Sequence, residues 1–357
     1  MSSAPNGERA PAVKGSAFLR ACRHEASGRT PIWLMRQAGR YLPEYRALRA
    51  RYPMLTLLNT PELAAEVTLQ PLARIDYDAA VIFSDLLQPL PGMGLTVTYE
   101  DGIGPRVGKP LSSGRDIDLL AAPPAAEALA TTLSAIGLAS AELAQRGLPV
   151  IGFVGAPFTL ATYAIEGGTS RSFTKTKALM YREPAAWDRL MSKLVTVLAD
   201  FLVAQAQAGA SALQVFDSWV GIALGRDDYI GYVQPYNRRL FAAAAAAGVP
   251  LVNFSTGTAP YIEEVASCGG DVMSVDWRMP LEEYRRRLGE ARALQGNLDP
   301  ALLLAPWREI GPRVNDLLAS APSTGYIFNL GHGILPETDV DTVSRLVDHV
   351  HAWEAVG

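Results

Sequence analysis

Nowhere in its 357 residues does the chain run apolar for anything near the ~20 positions that a membrane-spanning helix needs. Cysteine is scarce: Cys22 and Cys268 are the only two, too few for a disulfide framework and without the paired spacing of a zinc site, which fits a reducing cytoplasm. Histidine is as sparse, with His24, His332, His349 and His351 in total. The last two fall in a C-terminal helix and read as solvated surface, and none stands at ligand spacing from a cysteine, so no metal is expected. A G-x-G-x-x-G after the first strand and a P-loop lysine pattern are both missing, which removes the usual marks of a nucleotide site. Nor is there a basic excess. With 32 Lys and Arg against 36 Asp and Glu the net charge is −4, so no global field attracts nucleic acid, and an anionic ligand has to be held by local arginines. The opening residues lack the charged-then-apolar order of a secretory signal and are expected to form a disordered tail over 1–15, ahead of one catalytic domain over 16–357.

Short apolar, β-branched runs do recur, separated by helical stretches, as in parallel βαβ units. They predict strands at Ile32–Met35, Ala79–Ser84, Pro149–Val154, Ala212–Phe216, Pro250–Phe254, Val272–Val275, Ala293–Gly296 and Gly325–Asn329, about the number that closes a barrel. Helices are expected at Pro61–Leu72, with Thr60 as its cap, at Ala185–Ala208, at Tyr261–Ser267 and at Leu281–Ala291. Turn residues at Pro89–Gly94 and Gly102–Gly104 bracket the alternating run Leu95–Glu100, so a hairpin insertion is expected after the second strand. The expected fold is α/β, a single (β/α)₈ TIM barrel carrying that hairpin.

In such a barrel the chemistry sits just beyond the C-terminal ends of the strands. Arg36-Gln37-Ala38-Gly39-Arg40 follows the first strand and sets two guanidinium groups about a small backbone, an arrangement suited to carboxylate or phosphate. Pairing of these arginines with Glu44 or other acids in a structural network is the competing reading. Asp85 ends a fully apolar strand, a costly place for a charge unless something compensates; base, metal ligand, acceptor for ligand N–H groups, helix cap and partner to a local arginine all stay open. Tyr163, Asp217-Ser218-Trp219 and Gly331-His332-Gly333 follow later strands. The glycines on either side of His332 are expected to let the imidazole approach a ligand. Gly167–Ser172 reads as a mobile loop over the mouth, from which Arg171 could reach an anion.

Pro31 to Arg46, the blocks Ile82-Phe83-Ser84-Asp85, Gly152 to Thr159 and Phe216-Asp217-Ser218, and Phe328-Asn329-Leu330-Gly331-His332-Gly333, in this order, resemble the uroporphyrinogen decarboxylase family from about residue 16 onward. The resemblance implies a (β/α)₈ barrel, usually a homodimer, that removes CO₂ from the four acetate side chains of an acidic tetrapyrrole without a cofactor. It also implies that Arg36, Gln37, Ala38, Gly39 and Arg40 bind substrate carboxylates, that Asp85 faces the pyrrole N–H groups, and that Tyr163, Ser218 and His332 line the pocket. Asp85 and Arg36 are then the expected catalytic pair. Two rival readings are a cobalamin- or thiol-dependent methyltransferase of the same fold, which calls for His and Cys ligands on the late strands, and a non-catalytic tetrapyrrole carrier, which has no need of Asp85.

Overall fold

The computed structural model describes Val13, residues 15–100 and residues 104–353. Most of the expected tail and the tip of the expected hairpin, 101–103, lie outside the described residues; Val13 is buried beside Phe18 and Leu19.

Seven parallel strands make the central sheet: β1 (Ala80–Val81), β4 (Val150–Gly155), β5 (Ala212–Asp217), β6 (Leu251–Ser255), β7 (Val272–Ser274), β8 (Ala293–Leu298) and β9 (Tyr326–Leu330), hydrogen-bonded in chain order. Between β1 and β4 the antiparallel pair β2 (Val97–Glu100) and β3 (Gly104–Val107) projects from the sheet. Strands covered on both faces read as near-continuous apolar runs, because a polar side chain on either face would lose its water. The sheet curls until its edges are bridged by the Pro31–Ile32 segment: Phe328 N–H donates to Pro31 O (2.8 Å), Asp78 N–H donates to Ile32 O (2.9 Å), and Ile32 pairs with Phe328 in parallel.

The curl separates two apolar layers. Inside it, Trp33, Val81, Ile151, Ala212, Val252, Val272, Ala293 and Ile327 meet. Outside, the helices Pro61–Arg74, Ala130–Ala144 and Pro184–Gln207 bury their apolar faces against the strands. The helix Pro184–Gln207 is long and apolar enough to cross a membrane by length and composition alone, yet its Trp187, Leu190, Leu194, Leu198, Phe201 and Leu202 are interior.

Several expected elements come out differently. Ile32–Met35 is one bridge and a turn rather than a strand, because side chains claim its N–H groups: Leu34 N–H goes to Gln37 Oε1 (3.1 Å) and Met35 N–H to Asn329 Oδ1 (3.2 Å). The strand expected over Ala79–Ser84 keeps only Ala80–Val81, since Phe83 N–H is taken by Thr68 Oγ1 (2.9 Å) from the helix behind it. Thr60 precedes its helix without a side-chain cap bond; Pro61, having no N–H, leaves one fewer donor there to satisfy. His351 is not solvated surface: its Nε2 lies 2.8 Å from Asp78 Oδ2, with the ring largely covered. His349 likewise contacts Asn315 Oδ1 at 2.6 Å and the edge of Trp307.

Candidate active site

A cavity of about 550 Å³ opens at the C-terminal ends of the strands. Its first wall is the turn after Ile32. Arg36 takes φ +65°, a left-handed conformation unusual for a side chain with a Cβ, and this reverses the chain so that Arg36 faces the cavity while Gln37 faces the protein. Gln37 is wholly buried; its Nε2 donates to Ala79 O (3.0 Å) and its Oε1 accepts from Leu34 N–H. It lies outside the cavity lining, and its role is to hold the turn that presents Arg36. Ala38, Gly39 and Arg40 do line the cavity. The competing pairing with Glu44 is not made: Glu44 is bound to Arg74 at 2.7 Å on the outer surface. Among the described residues no carboxylate forms an ion pair with Arg36 or Arg40.

Asp85 enters from the second wall. Once Phe83 has left the ladder, the chain turns and the Asp85 carboxylate accepts from Leu87 N–H (2.7 Å) while facing the Tyr99 hydroxyl. Burial raises its pKa above the usual carboxylate value, opposed by the Leu87 and Tyr99 hydrogen bonds and by the charge of Arg36. Tyr99 belongs to β2, so the hairpin completes the site. Tyr163 stands on the helix Pro157–Glu166 with its ring edge-on to Trp219 (5.0 Å between centroids), and burial together with the Asp85 charge pushes its hydroxyl up to about 12. Ser218 and His332 complete the rim. Burial, and then the cations Arg36 and Arg278, push His332 down to about 4, so its imidazole is neutral at neutral pH. Every expected site residue except Gln37 therefore meets at one cavity.

Arg49 and Tyr99 were not anticipated from sequence. Tyr45 and Arg49 are spaced four apart on the helix Pro43–Arg51, the signature of a shared helical face, and this could have revealed Arg49. Nothing local could have placed Tyr99. Asp217, at the end of β5, is turned the other way: it accepts from Thr159 Oγ1 (2.9 Å) and Asn237 Nδ2 (3.2 Å), and burial raises it to about 6. From the Gly167–Ser172 loop Thr169 reaches the cavity and Arg171 does not, and Gly167 O is tied to Val107 N–H of the hairpin (3.0 Å). The glycines beside His332 serve their neighbours rather than the imidazole. A Cβ on Gly331 would strike Trp277 N (2.8 Å), and one on Gly333 would strike the Arg36 side chain.

The described lining thus carries three arginines (Arg36, Arg40 and Arg49) against one carboxylate, Asp85, over apolar walls of Trp33, Phe153, Phe216 and Phe254. It suits a large, flat, strongly anionic molecule that offers N–H or cationic character at its centre. Among the described residues no group of three or more His, Cys, Asp or Glu side chains is arranged to hold a metal ion. Both cysteines are buried free thiols, and burial pushes Cys268 up to about 11.

Comparison with known proteins bears on the fold and the family. In solved structures the fold is similar to a methyltransferase from Methanosarcina mazei, with TM-score 0.78 over 94% of this chain and 97% of that one. It is also similar to a B12-independent methionine synthase from Shewanella sp. W3-18-1, with TM-score 0.54 over 84% and 88%. At 18% and 9% identity these two likenesses concern the fold alone. In sequence, the chain is 49% identical over 346 residues to the uroporphyrinogen decarboxylase of Roseiflexus sp. (strain RS-1), covering 95% of this chain and 99% of that protein. It is 47% identical over 348 residues to that of Streptomyces coelicolor, covering 97% of each. The family model described as Uroporphyrinogen decarboxylase (URO-D) matches residues 14–353, and the chain belongs to that family.

Proposed function

We propose that the chain is a carboxy-lyase that converts uroporphyrinogen III to coproporphyrinogen III by removing CO₂ from each of its four acetate side chains, with no cofactor beyond the substrate's own pyrroles. The observation that carries this reading is the charge pattern of the cavity: Arg36 and Arg40, with which no carboxylate among the described residues pairs, join Arg49 in a lining that holds a single carboxylate, Asp85. Eight carboxylates on the rim of a macrocycle and four N–H groups at its centre match that pattern in sign and in position.

Loss of CO₂ leaves an electron pair that must be accommodated. Protonation of the pyrrole carbon next to the acetate-bearing one makes the ring a cation. The C–C bond to the carboxylate then breaks and its electrons neutralise the ring. A proton added to the exposed methylene carbon and loss of the ring proton restore the pyrrole, now bearing a methyl group. In our reading Asp85 accepts hydrogen bonds from the converging N–H groups and stabilises the ring cation, a charge present only during reaction. Arg36 and Arg40 anchor carboxylates, while Ala38 and Gly39 keep the backbone close to them. Burial lowers the pKa of Arg36, the direction that eases proton donation, and Arg36 is our candidate acid. Tyr163, Ser218 and neutral His332 offer hydrogen bonds around the reacting acetate.

We read the architecture as an eight-staved barrel in which Pro31–Ile32 supplies the closing stave, and we place the chain in the cytoplasm as a homodimer without nucleic-acid or membrane partners. Anaerobic incubation of metal-stripped protein with uroporphyrinogen, followed by oxidation and separation of the products by carboxylate number, tests the activity. Stepwise appearance of seven-, six-, five- and four-carboxylate porphyrins is expected. Unreacted substrate in the presence of folded protein overturns the proposal.

A further inference from the structure

Gly333 is not a glycine for its own backbone's sake. Its φ lies outside the left-handed region, so an alanine could adopt the same conformation. What an added methyl would meet first is Arg36: the three nearest atoms to a Cβ at this position are Arg36 Cδ at 2.4 Å, Cγ at 2.8 Å and Nε at 2.9 Å. The aliphatic stem of the arginine therefore lies directly on the glycine. Gly331, two residues earlier, is different, because a Cβ there would strike the backbone of Trp277 and Asp276.

The two segments cannot slide apart to make room. Ile334 N–H donates to Met35 O (2.8 Å), and Met35 N–H donates to Asn329 Oδ1 (3.2 Å), which also accepts from Leu330 N–H (2.8 Å). On the other side of the turn a Cβ on Gly39 would lie 2.7 Å from Arg36 O, so the turn brings the backbone of residue 39 close under the Arg36 carbonyl. With the main chain pinned, a methyl at position 333 can be relieved only by swinging the Arg36 side chain, which moves its guanidinium within the cavity.

We propose that Gly333 is a positioning residue for Arg36: the absence of a side chain there sets where the guanidinium stands, and with it the preference for substrates bearing the full set of carboxylates. The proposal rests on the reading of Arg36 as a carboxylate anchor.

The test is a double-mutant cycle on the full chain with Gly333→Ala, Arg36→Ala and the combined variant. It measures KM and kcat with uroporphyrinogen and the affinities of eight- and four-carboxylate porphyrins by fluorescence quenching. Gly333→Ala is expected to weaken eight-carboxylate binding roughly ten- to hundredfold, the scale of a displaced charge-assisted hydrogen bond, with a smaller loss for the four-carboxylate ligand. In the Arg36→Ala background the same substitution should change nothing further. A Gly333→Ala enzyme with unaltered KM and affinities, or one equally impaired whether or not Arg36 is present, overturns the proposal. Should Gly333→Ala alone fail to fold, recovery of folding in the combined variant identifies the Arg36 stem as the obstacle, whereas failure of both variants makes Gly333 a structural glycine. Arg36→Ala with full affinity overturns the anchor reading itself, a result separate from a silent Gly333→Ala beside a damaging Arg36→Ala.

Discussion

Two aspartates flank the same short strand. Asp78 lies two residues before β1, at the bottom of the sheet, and Asp85 four residues after it, at the mouth. Asp78 is saturated by its own chain: it receives Arg29 Nη2 (2.7 Å), Ile32 N–H (2.8 Å) and His351 Nε2 (2.8 Å), tying together the chain's entry into the curled sheet, β1 and the C-terminal helix. Asp85 receives Leu87 N–H, faces Tyr99, and has no cation bonded to it among the described residues. A buried carboxylate whose acceptors are all filled stabilises a fold; one left under-supplied inside a cavity awaits donors from a ligand. The same contrast separates Arg29, spent on Asp78, from Arg36, which has no carboxylate partner among the described residues.

Exchanging the properties of the two ends breaks or sharpens this comparison. The largest effect is expected for Asp85→Asn, which should lower kcat by about 10²–10³, the scale seen when a preorganised electrostatic contact is removed, while the unfolding midpoint stays put. Near-normal turnover would end the cation-stabilising role. Asp78→Ala should do the reverse. Denaturant titration should register a stability loss of roughly 3 kcal/mol, because three donors lose one acceptor, with kcat per folded molecule intact. Next comes Arg36→Ala, for which KM should rise roughly ten- to hundredfold without loss of stability. In Arg29→Ala, by contrast, KM should be unaltered and the cost confined to stability.

A smaller effect concerns pH. Asp217 is held near 6 against its ordinary 3.8, so between these values the folded protein binds more protons than the unfolded chain, and this group's contribution makes stability fall as pH rises. His332, depressed to about 4, acts in the opposite sense, its contribution being lost as pH falls below about 6.5. Unfolding titrations at pH 4.5 and 6.5 should therefore show that Asp217→Asn gains stability relative to the parent at the higher pH; an equal difference at both would dismiss the assignment. The smallest effect is expected for Arg74→Ala. It breaks an exposed pair with Glu44 and should cost less than about 1 kcal/mol, leaving KM unchanged unless the freed Glu44 turns inward to the arginines.

Much of the fold was legible because apolar strands buried on both faces advertise themselves. The runs expected at Pro149–Val154, Ala212–Phe216, Pro250–Phe254, Ala293–Gly296 and Gly325–Asn329 lie within a few residues of β4, β5, β6, β8 and β9. Ile32–Met35 has the same composition and is not a strand, because Gln37 and Asn329 divert its N–H groups, and side-chain competition of that kind leaves no trace in an apolar pattern. In the site, residues that close a strand were readable by position. Tyr99 was not, because it arrives on a hairpin whose placement is tertiary, and Gln37 was misplaced because a single left-handed residue turned it away from its neighbour.

By itself the sequence determined the kind of fold and the kind of ligand: burial on both faces demands the apolar strands, and motifs gathered at strand ends bring arginine and aspartate to one mouth. Tertiary structure alone decided which charges stay unpaired. Glu44 and Arg36 are close in sequence, yet Arg74 takes Glu44 on the outside while the turn at Arg36 points the other way, into the cavity. Whether a charge is consumed by the fold or kept for a ligand depends on which partner reaches it within about 3 Å, and that distance is set only when the chain closes on itself.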